Sequence, residues 1–114
     1  MTRTFIQTSE FSKNWDRLGF GDEALRQLEL EIMRQPMVGK VIRGTGRLRK
    51  MRFAFEHKGK SGSVRVCYVD FVVQRIVYLI TVYSKNEKEN LSIAERNNIK
   101  KAIEQLENNL LEET

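Results

Sequence analysis

The stretch KMRFAF at residues 50–55 decides how the surrounding chain folds. Its three large apolar residues occupy every second position and alternate with Lys50, Arg52 and Ala54. Because successive side chains of a β-strand point to opposite faces of a sheet, this period of two predicts a half-buried strand with a basic outer face. Lys50 and Arg52 are therefore expected to leave the sheet on the same side.

Further strands are predicted on both sides of this one. The turn-forming residues Lys58–Ser63 predict a hairpin that leads into a second strand at Val64–Val69. After a predicted turn at Asp70–Gln74, the apolar run Arg75–Tyr83 predicts a central strand. A short strand is also expected near the N-terminus, at Arg3–Gln7.

Helices are predicted towards both ends of the chain. Ser9 is expected to cap a first helix with apolar residues at helical spacing, and Gly19–Gly21 end it. Asp22 opens a second helix, which Pro36 stops. The capping-box sequence Ser92-Ile93-Ala94-Glu95 introduces a last amphipathic helix.

This order of elements predicts a single α+β domain over residues 1–114. A helical hairpin and a C-terminal helix are expected to pack on a small antiparallel sheet, since strands and helices do not alternate as in a doubly wound fold. The only cysteine, Cys67, lies in an apolar run and is predicted to be a core residue of a protein in a reducing, cytoplasmic setting. One Cys and one His do not suffice for a zinc site, and no apolar run is long enough to cross a membrane.

The positive charge of the chain is concentrated in its middle. Ten of the twenty Lys and Arg residues lie between Arg34 and Arg65, where Glu56 is the only acidic residue. That segment has a net charge of +9, and the rest of the chain sums to −4. Since crowded like charges destabilise a fold, a partner rich in phosphate groups is the simplest explanation, and we predict a nucleic-acid-binding protein.

Two groups of residues are candidates for chemistry on a phosphodiester. If Arg65 projects to the same face as Lys50 and Arg52, three cations converge on one phosphate; the alternative is a solvated strand face. In the second group, Tyr83 is suited to stacking on a base and Lys85 to contacting the phosphate; the alternative is a strand-end tyrosine followed by an exposed turn. The residues expected to add RNA contacts are Arg47, Arg49, Lys58 and Lys60.

Three blocks of sequence, in order, resemble the RelE/HigB-type toxins of bacterial type II toxin–antitoxin modules. The blocks are Pro36 with Gly39–Arg52, then Gly59–Tyr68, then Tyr83–Glu87 followed by Leu91-Ser92. The resemblance covers most of the chain. It implies the RelE-like fold, in which helices pack against a small twisted antiparallel sheet.

The resemblance also implies an activity, namely a ribosome-dependent mRNA interferase. Such a toxin is an endoribonuclease that cleaves mRNA in the ribosomal A site, without a metal or other cofactor, by attack of the RNA 2′-hydroxyl on the adjacent phosphate. It implies mRNA, the ribosome and a cognate antitoxin as partners. That antitoxin is expected to be HigA-like with its own DNA-binding domain, so that DNA is contacted only through the complex and no membrane is involved.

By the same resemblance, individual residues acquire roles. Arg65 is expected to stabilise charge on the phosphate, Lys50 or Lys85 to transfer protons, and Tyr83 to position a base. Lys50 and Arg52 match the paired basic positions of the family's second strand. The sequence departs from the best-known branch at Asn86 and Leu91, where that branch has an arginine and a catalytic tyrosine.

Two other functions are compatible with the residues. A non-catalytic RNA- or ribosome-binding module would use the same basic face, because affinity for phosphate does not require cleavage. A DNA-binding regulator fits less well, since the basic residues lie on predicted strands and the last helix is net acidic.

Overall fold

The computed structural model of the chain describes residues 2–55 and 63–112, and the elements follow the predicted order with one addition. In chain order they are β1 (Thr4–Gln7), α1 (Ser9–Arg17), α2 (Asp22–Arg34), β2 (Lys40–Val41), β3 (Arg49–Phe53), β4 (Val64–Phe71), β5 (Ile76–Ser84) and α3 (Ile93–Glu112). The addition is β2, whose two residues are too few to show an alternation that would predict a strand. The predicted hairpin turn lies outside the described residues except for Ser63.

The five strands form one sheet in the order β1-β5-β4-β3-β2. Neighbours from β2 to β5 pair in antiparallel fashion, whereas β1 pairs in parallel with β5, with Thr4 opposite Ile76. The α+β class is therefore confirmed, while the sheet is mixed rather than antiparallel throughout. The alternation of side chains predicts that a segment is a strand, but it does not predict whether the neighbouring strand runs parallel or antiparallel to it. The parallel pairing also joins strands that lie about seventy residues apart in the sequence.

Helices cover both faces of the sheet, which accounts for the continuous apolar character of β4 and β5. One core lies between the sheet and helices α1 and α2, and its largest members include Phe11, Trp15, Phe53 and Tyr68. A second core lies under α3, where the buried residues are Leu48, Cys67, Val69, Phe71, Ile80, Tyr83, Leu91, Ile103 and Leu110. Cys67 is fully buried, as predicted.

A β-bulge interrupts the pairing of the two central strands. Cys67 lies opposite Thr81, but the next residue, Tyr68, lies opposite Leu79, so that Ile80 is an extra residue on β5. An inserted residue shifts the alternation of side chains along the strand. Residues of β5 beyond the bulge therefore face the side opposite to the one that strict alternation gives.

The helix starts agree with the sequence at α3 and differ at α1. The α3 capping box is present, because Ser92 Oγ accepts from the Glu95 amide at 3.0 Å and Glu95 Oε1 accepts from the Ser92 amide at 2.8 Å. At α1 the N-cap is Thr8 and not Ser9, so the predicted cap was wrong by one residue. Thr8 Oγ1 accepts from the amide of Phe11 at 3.1 Å, and it also donates to a β5 carbonyl at 2.6 Å, which ties the helix start to the sheet.

Candidate functional site

The register of the sheet brings four cations onto the face that also carries α3. Lys50 and Arg52 of β3 share this face, Lys40 of β2 lies directly opposite Lys50, and Arg65 of β4 lies directly opposite Arg52. Like charges at directly opposite positions of neighbouring strands destabilise a sheet. Two such pairs side by side lower the stability of the sheet, which indicates that these charges are kept for a function.

These cations line an open groove of about 720 Å³. The residues that line it are Val38, Lys40, Lys50, Met51, Arg52, Arg65, Lys85, Glu89 and Asn90. The lining therefore carries five positive charges and one carboxylate. A groove with this charge is suited to binding phosphate groups.

Hydrogen bonds hold two of the groove cations in place. Lys50 Nζ donates to Asn90 Oδ1 at 3.1 Å, and Arg65 Nη1 donates to Ser63 Oγ at 3.0 Å. No hydrogen bond or ion pair connects the side chains of Arg52 and Lys85 to another residue of the described ranges. The groove thus combines fixed donors with charges that are available to a ligand.

A tight turn before β2 places its lysine beside β3. The Tyr68 hydroxyl donates to the carbonyl of Pro36 at 2.8 Å and accepts from the amide of Gly39 at 3.0 Å. Gly39 has no room for a side chain, because a Cβ there would lie 3.0 Å from the carbonyl carbon and oxygen of Lys50. Arg49 Nη1 donates to the carbonyl of Gly39 at 2.7 Å, so Arg49, expected to contact RNA, instead supports this turn.

The segment after β5, residues 85–92, carries Lys85 and Asn90 and is fastened on two sides. Glu87 accepts from the Ser84 amide at 3.0 Å and from Arg17 Nη2 of α1 at 2.8 Å. Partial burial works to raise the pKa of Glu87, but these hydrogen bonds outweigh it and hold the pKa below its ordinary value. Side chains on this segment therefore have a defined position relative to the sheet.

The second fastening joins the same segment to α3. Lys88 Nζ lies 2.6 Å from Glu95 Oε2. The hydrogen bond from Lys88, followed by the one from the Ser92 amide, lowers the pKa of Glu95. Glu87 and Glu95 must therefore be ionised for these interactions to hold the segment against α1 and α3.

Tyr83 does not have the role that the sequence suggested. Its side chain is only 2% exposed and lies in the core under α3, because the bulge at Ile80 turns it to that face. It therefore cannot stack on a base, and the expectation was wrong. Burial, together with the neighbouring Cys67 thiol, raises the pKa of its hydroxyl well above the ordinary value, so the phenol does not serve as a base at neutral pH.

The remaining predicted RNA contacts are separated from the groove or lie outside the described residues. Arg47 binds Glu107 of α3 at 2.8 Å and the carbonyl of Asp70 at 3.0 Å, and its guanidinium lies 4.9 Å from the centre of the Phe71 ring. It therefore joins α3 to the sheet instead of facing a ligand. Lys58 and Lys60 lie outside the described residues.

Sequence reasoning missed three polar residues that line the groove. Lys40 was hidden because a two-residue strand leaves no periodic signal, while Glu89 and Asn90 stand in a polar segment without periodicity. The register of the sheet places Lys40 at the groove, and the path of the segment after β5 places Glu89 and Asn90 there. Within residues 2–55 and 63–112, no cluster of His, Cys, Asp or Glu is arranged to hold a metal ion.

A family model described as the RelE toxin of the RelE/RelB toxin–antitoxin system matches residues 3–113. The chain belongs to the RelE toxin family. The RelE-type resemblance of its sequence is thereby confirmed, and this RelE-family chain is a toxin of the toxin–antitoxin class. None of its described helices is both long and apolar enough to cross a bilayer.

Solved structures of Escherichia coli RelE have the same fold. A free variant with two arginines replaced by alanine has a TM-score of 0.55 at 19% identity, over 78% of this chain and 90% of that chain. The E. coli RelBE toxin–antitoxin complex gives 0.54 at 19% identity, over 73% and 96%. The isolated E. coli toxin gives 0.52 at 18% identity, over 89% and 99%. At such identities the likeness establishes the fold, and the chemistry has to be argued from the groove.

Proposed function

We propose that this RelE-family toxin is an endoribonuclease that cleaves mRNA in the ribosomal A site and thereby stops translation in the cytoplasm. The observation that carries the proposal is the groove with five cations, in which Lys40 opposes Lys50 and Arg52 opposes Arg65 at the expense of sheet stability. A charge arrangement that weakens the fold is most simply explained by a phosphate-bearing substrate.

The reaction that suits these residues uses the substrate's own hydroxyl as nucleophile. The 2′-oxygen bonds to the adjacent phosphorus as the bond from phosphorus to the 5′-oxygen breaks, which leaves a cyclic phosphate and a free 5′-hydroxyl. One proton leaves the 2′-hydroxyl and one is delivered to the departing 5′-oxygen. The protein must therefore supply a proton acceptor, a proton donor and positive charge around the phosphorane.

Roles for the groove residues follow from their chemistry. Arg52 and Arg65 present planar guanidinium groups, which pair with two phosphate oxygens at once and suit the developing charge. Lys50 and Lys85 are the proposed proton-transfer groups, and Glu89 is the one carboxylate among the described residues of the lining. Tyr83 has no part in this scheme because it is buried.

The proposal includes an antitoxin as the partner that restrains the activity. E. coli RelE, which shares the fold, has been crystallised as the RelBE complex with its antitoxin. For this chain we infer an antitoxin with an acidic segment that covers the groove, since opposite charge would neutralise it and exclude mRNA. We expect this antitoxin to be HigA-like and to contact DNA through its own domain.

A second function, an RNA- or ribosome-binding module without cleavage, is favoured by one observation. Among the described residues that line the groove there is no imidazole, the side chain that most often transfers protons in enzymes, and no phenol. The groove would then hold RNA by its phosphates alone.

Cell-free translation with purified protein separates the two functions. The mRNA 5′ ends are mapped by primer extension for the wild type, for Arg65→Ala and for Arg26→Ala, whose exposed arginine lies on α2 across the sheet. We expect new ends inside coding sequence that require ribosomes, persist in Arg26→Ala and disappear in Arg65→Ala. Intact mRNA with the wild type would refute cleavage, and a salt-sensitive gel shift of that intact RNA would support the binding module.

A further inference from the structure

A second, smaller cavity adjoins the groove and shares two of its residues. It has a volume of about 200 Å³ and is lined by Ile42, Lys50, Asn90, Leu91 and Arg96. Lys50 and Asn90 also line the groove, so the two spaces meet at the hydrogen bond from Lys50 Nζ to Asn90 Oδ1. The cavity therefore continues the groove towards the first turn of α3.

Arg96 gives this cavity its own positive charge. The residue is half-buried, and no hydrogen bond or ion pair connects its guanidinium to another described residue. Within the part of the chain that the structure describes, no carboxylate lines the cavity. The adjacent Glu95 is already engaged by Lys88 and by the Ser92 amide, so it does not neutralise Arg96. A half-buried arginine without a partner is suited to binding an anion from outside.

The rest of the lining suits the neutral part of a nucleotide. Leu91 is buried and Ile42 is half-buried, and both contribute an apolar surface beside the two cations. An amide side chain, that of Asn90, stands between that surface and the groove. A phosphate between two cations, with a sugar or base on an apolar surface, is how proteins hold single-stranded RNA.

We infer that this cavity is a nucleotide subsite next to the cleavage site, in which Arg96 holds the phosphate that neighbours the one cleaved and Ile42 and Leu91 support the attached nucleoside. The inference rests on the proposed function for the direction of the RNA through the groove. It adds Arg96, a residue of the last helix, to a site otherwise built on strands and on the segment after β5.

Salt-dependent RNA binding tests the subsite without requiring cleavage. The probe is a short oligoribonucleotide with 2′-O-methyl sugars, which the toxin is unable to cut because the attacking hydroxyl is blocked. Loss of one phosphate contact on a single strand reduces the slope of log K against log salt by about 0.7, which is an affinity loss of about eightfold at 50 mM salt. We expect this change for Arg96→Ala and partial rescue in Arg96→Lys. Lys101→Ala, which removes an exposed charge from the same helix, is expected to keep the wild-type slope.

Kinetics on programmed ribosomes provide the second measurement. A residue that holds a flanking nucleotide is expected to raise KM in Arg96→Ala with kcat little changed, whereas Arg65→Ala lowers kcat. A wild-type slope in Arg96→Ala, with the protein folded by urea titration, overturns the subsite. Reduced slope without any cleavage by the wild type supports the subsite and refutes the nuclease. A wild type that shows no salt-dependent binding overturns the subsite, whereas the nuclease is judged separately by cleavage on ribosomes.

Discussion

Arg52→Thr is expected to make the protein more stable while it removes activity. Arg52 is exposed, lies directly opposite Arg65 and forms no hydrogen bond or ion pair with a described residue, so its loss removes repulsion and little else. Two unit charges about 8 Å apart in water repel each other by about 0.5 kcal/mol. Arg52 faces Arg65 and, at greater distance, the lysines of the groove, and we therefore expect a gain of about 1 kcal/mol at low salt.

Urea denaturation at two salt concentrations measures this gain. The screening length falls from about 10 Å at 0.1 M salt to about 3 Å at 1 M, so repulsion within the groove is largely screened at the higher concentration. Wild-type protein is expected to gain stability between these conditions, and Arg52→Thr is expected to gain less. The urea concentration at the midpoint of unfolding should shift while the slope m stays constant, because the wild type and Arg52→Thr expose nearly the same area on unfolding.

Lys101→Ala is the control for net charge alone. It removes one positive charge from α3, which is net acidic, so it offers no relief of repulsion and no gain in stability is expected. If Arg52→Thr proves less stable than the wild type at low salt, or if its stability responds to salt as the wild type does, the opposed charges do not cost stability. The main argument for a phosphate-binding groove would then fail.

Three further predictions concern the supports of the site. Gly39→Ala is expected to lower stability by about 1–3 kcal/mol in urea titration, because the new Cβ would meet the backbone of β3 at 3.0 Å; an unchanged midpoint would show that β2 moves freely. Asp70→Asn is expected to cost about 3 kcal/mol by the same titration, since it breaks a buried pair with Arg3 at 2.7 Å, and a loss under 1 kcal/mol would contradict burial of the pair. The pKa of Glu95 is lowered in the folded state, so its pair with Lys88 stabilises fully above about pH 4.5 and is lost as the pH falls through the lower folded-state pKa. The difference in stability between Glu95→Gln and the wild type should therefore be greatest at pH 7 and shrink below pH 4.5. A difference that stays constant would argue against the pair.

Much of the architecture could be read from local sequence patterns. The alternation in residues 50–55 predicted β3, and the Ser92–Glu95 capping box predicted the start of α3, because both signals depend only on neighbours along the chain. The net charge of the central segment could also be read directly, since it does not depend on how the strands are arranged. Phosphate binding by that segment stays a prediction. The RelE resemblance, confirmed over residues 3–113, added the family.

Which residues line the groove depends on contacts between distant segments, and local sequence patterns do not predict such contacts. A bulge at Ile80 turns Tyr83 into the core, and one residue of shift in a strand is enough to exchange its two faces. Arg47 is diverted because α3 brings a carboxylate to it across sixty residues of sequence. Residue type alone could therefore not separate cations that line the groove from cations that hold the fold together.

The sequence by itself determined where strands and helices form and that the middle of the chain is basic, because period, capping and charge are local properties. The tertiary structure alone decided that Lys40 stands opposite Lys50 and Arg52 opposite Arg65, that β1 runs parallel to β5, and that Arg96 reaches the edge of the groove. Pairing and register are set by the burial of two apolar cores between distant segments. A groove is a product of that packing, and it exists only once the chain has folded.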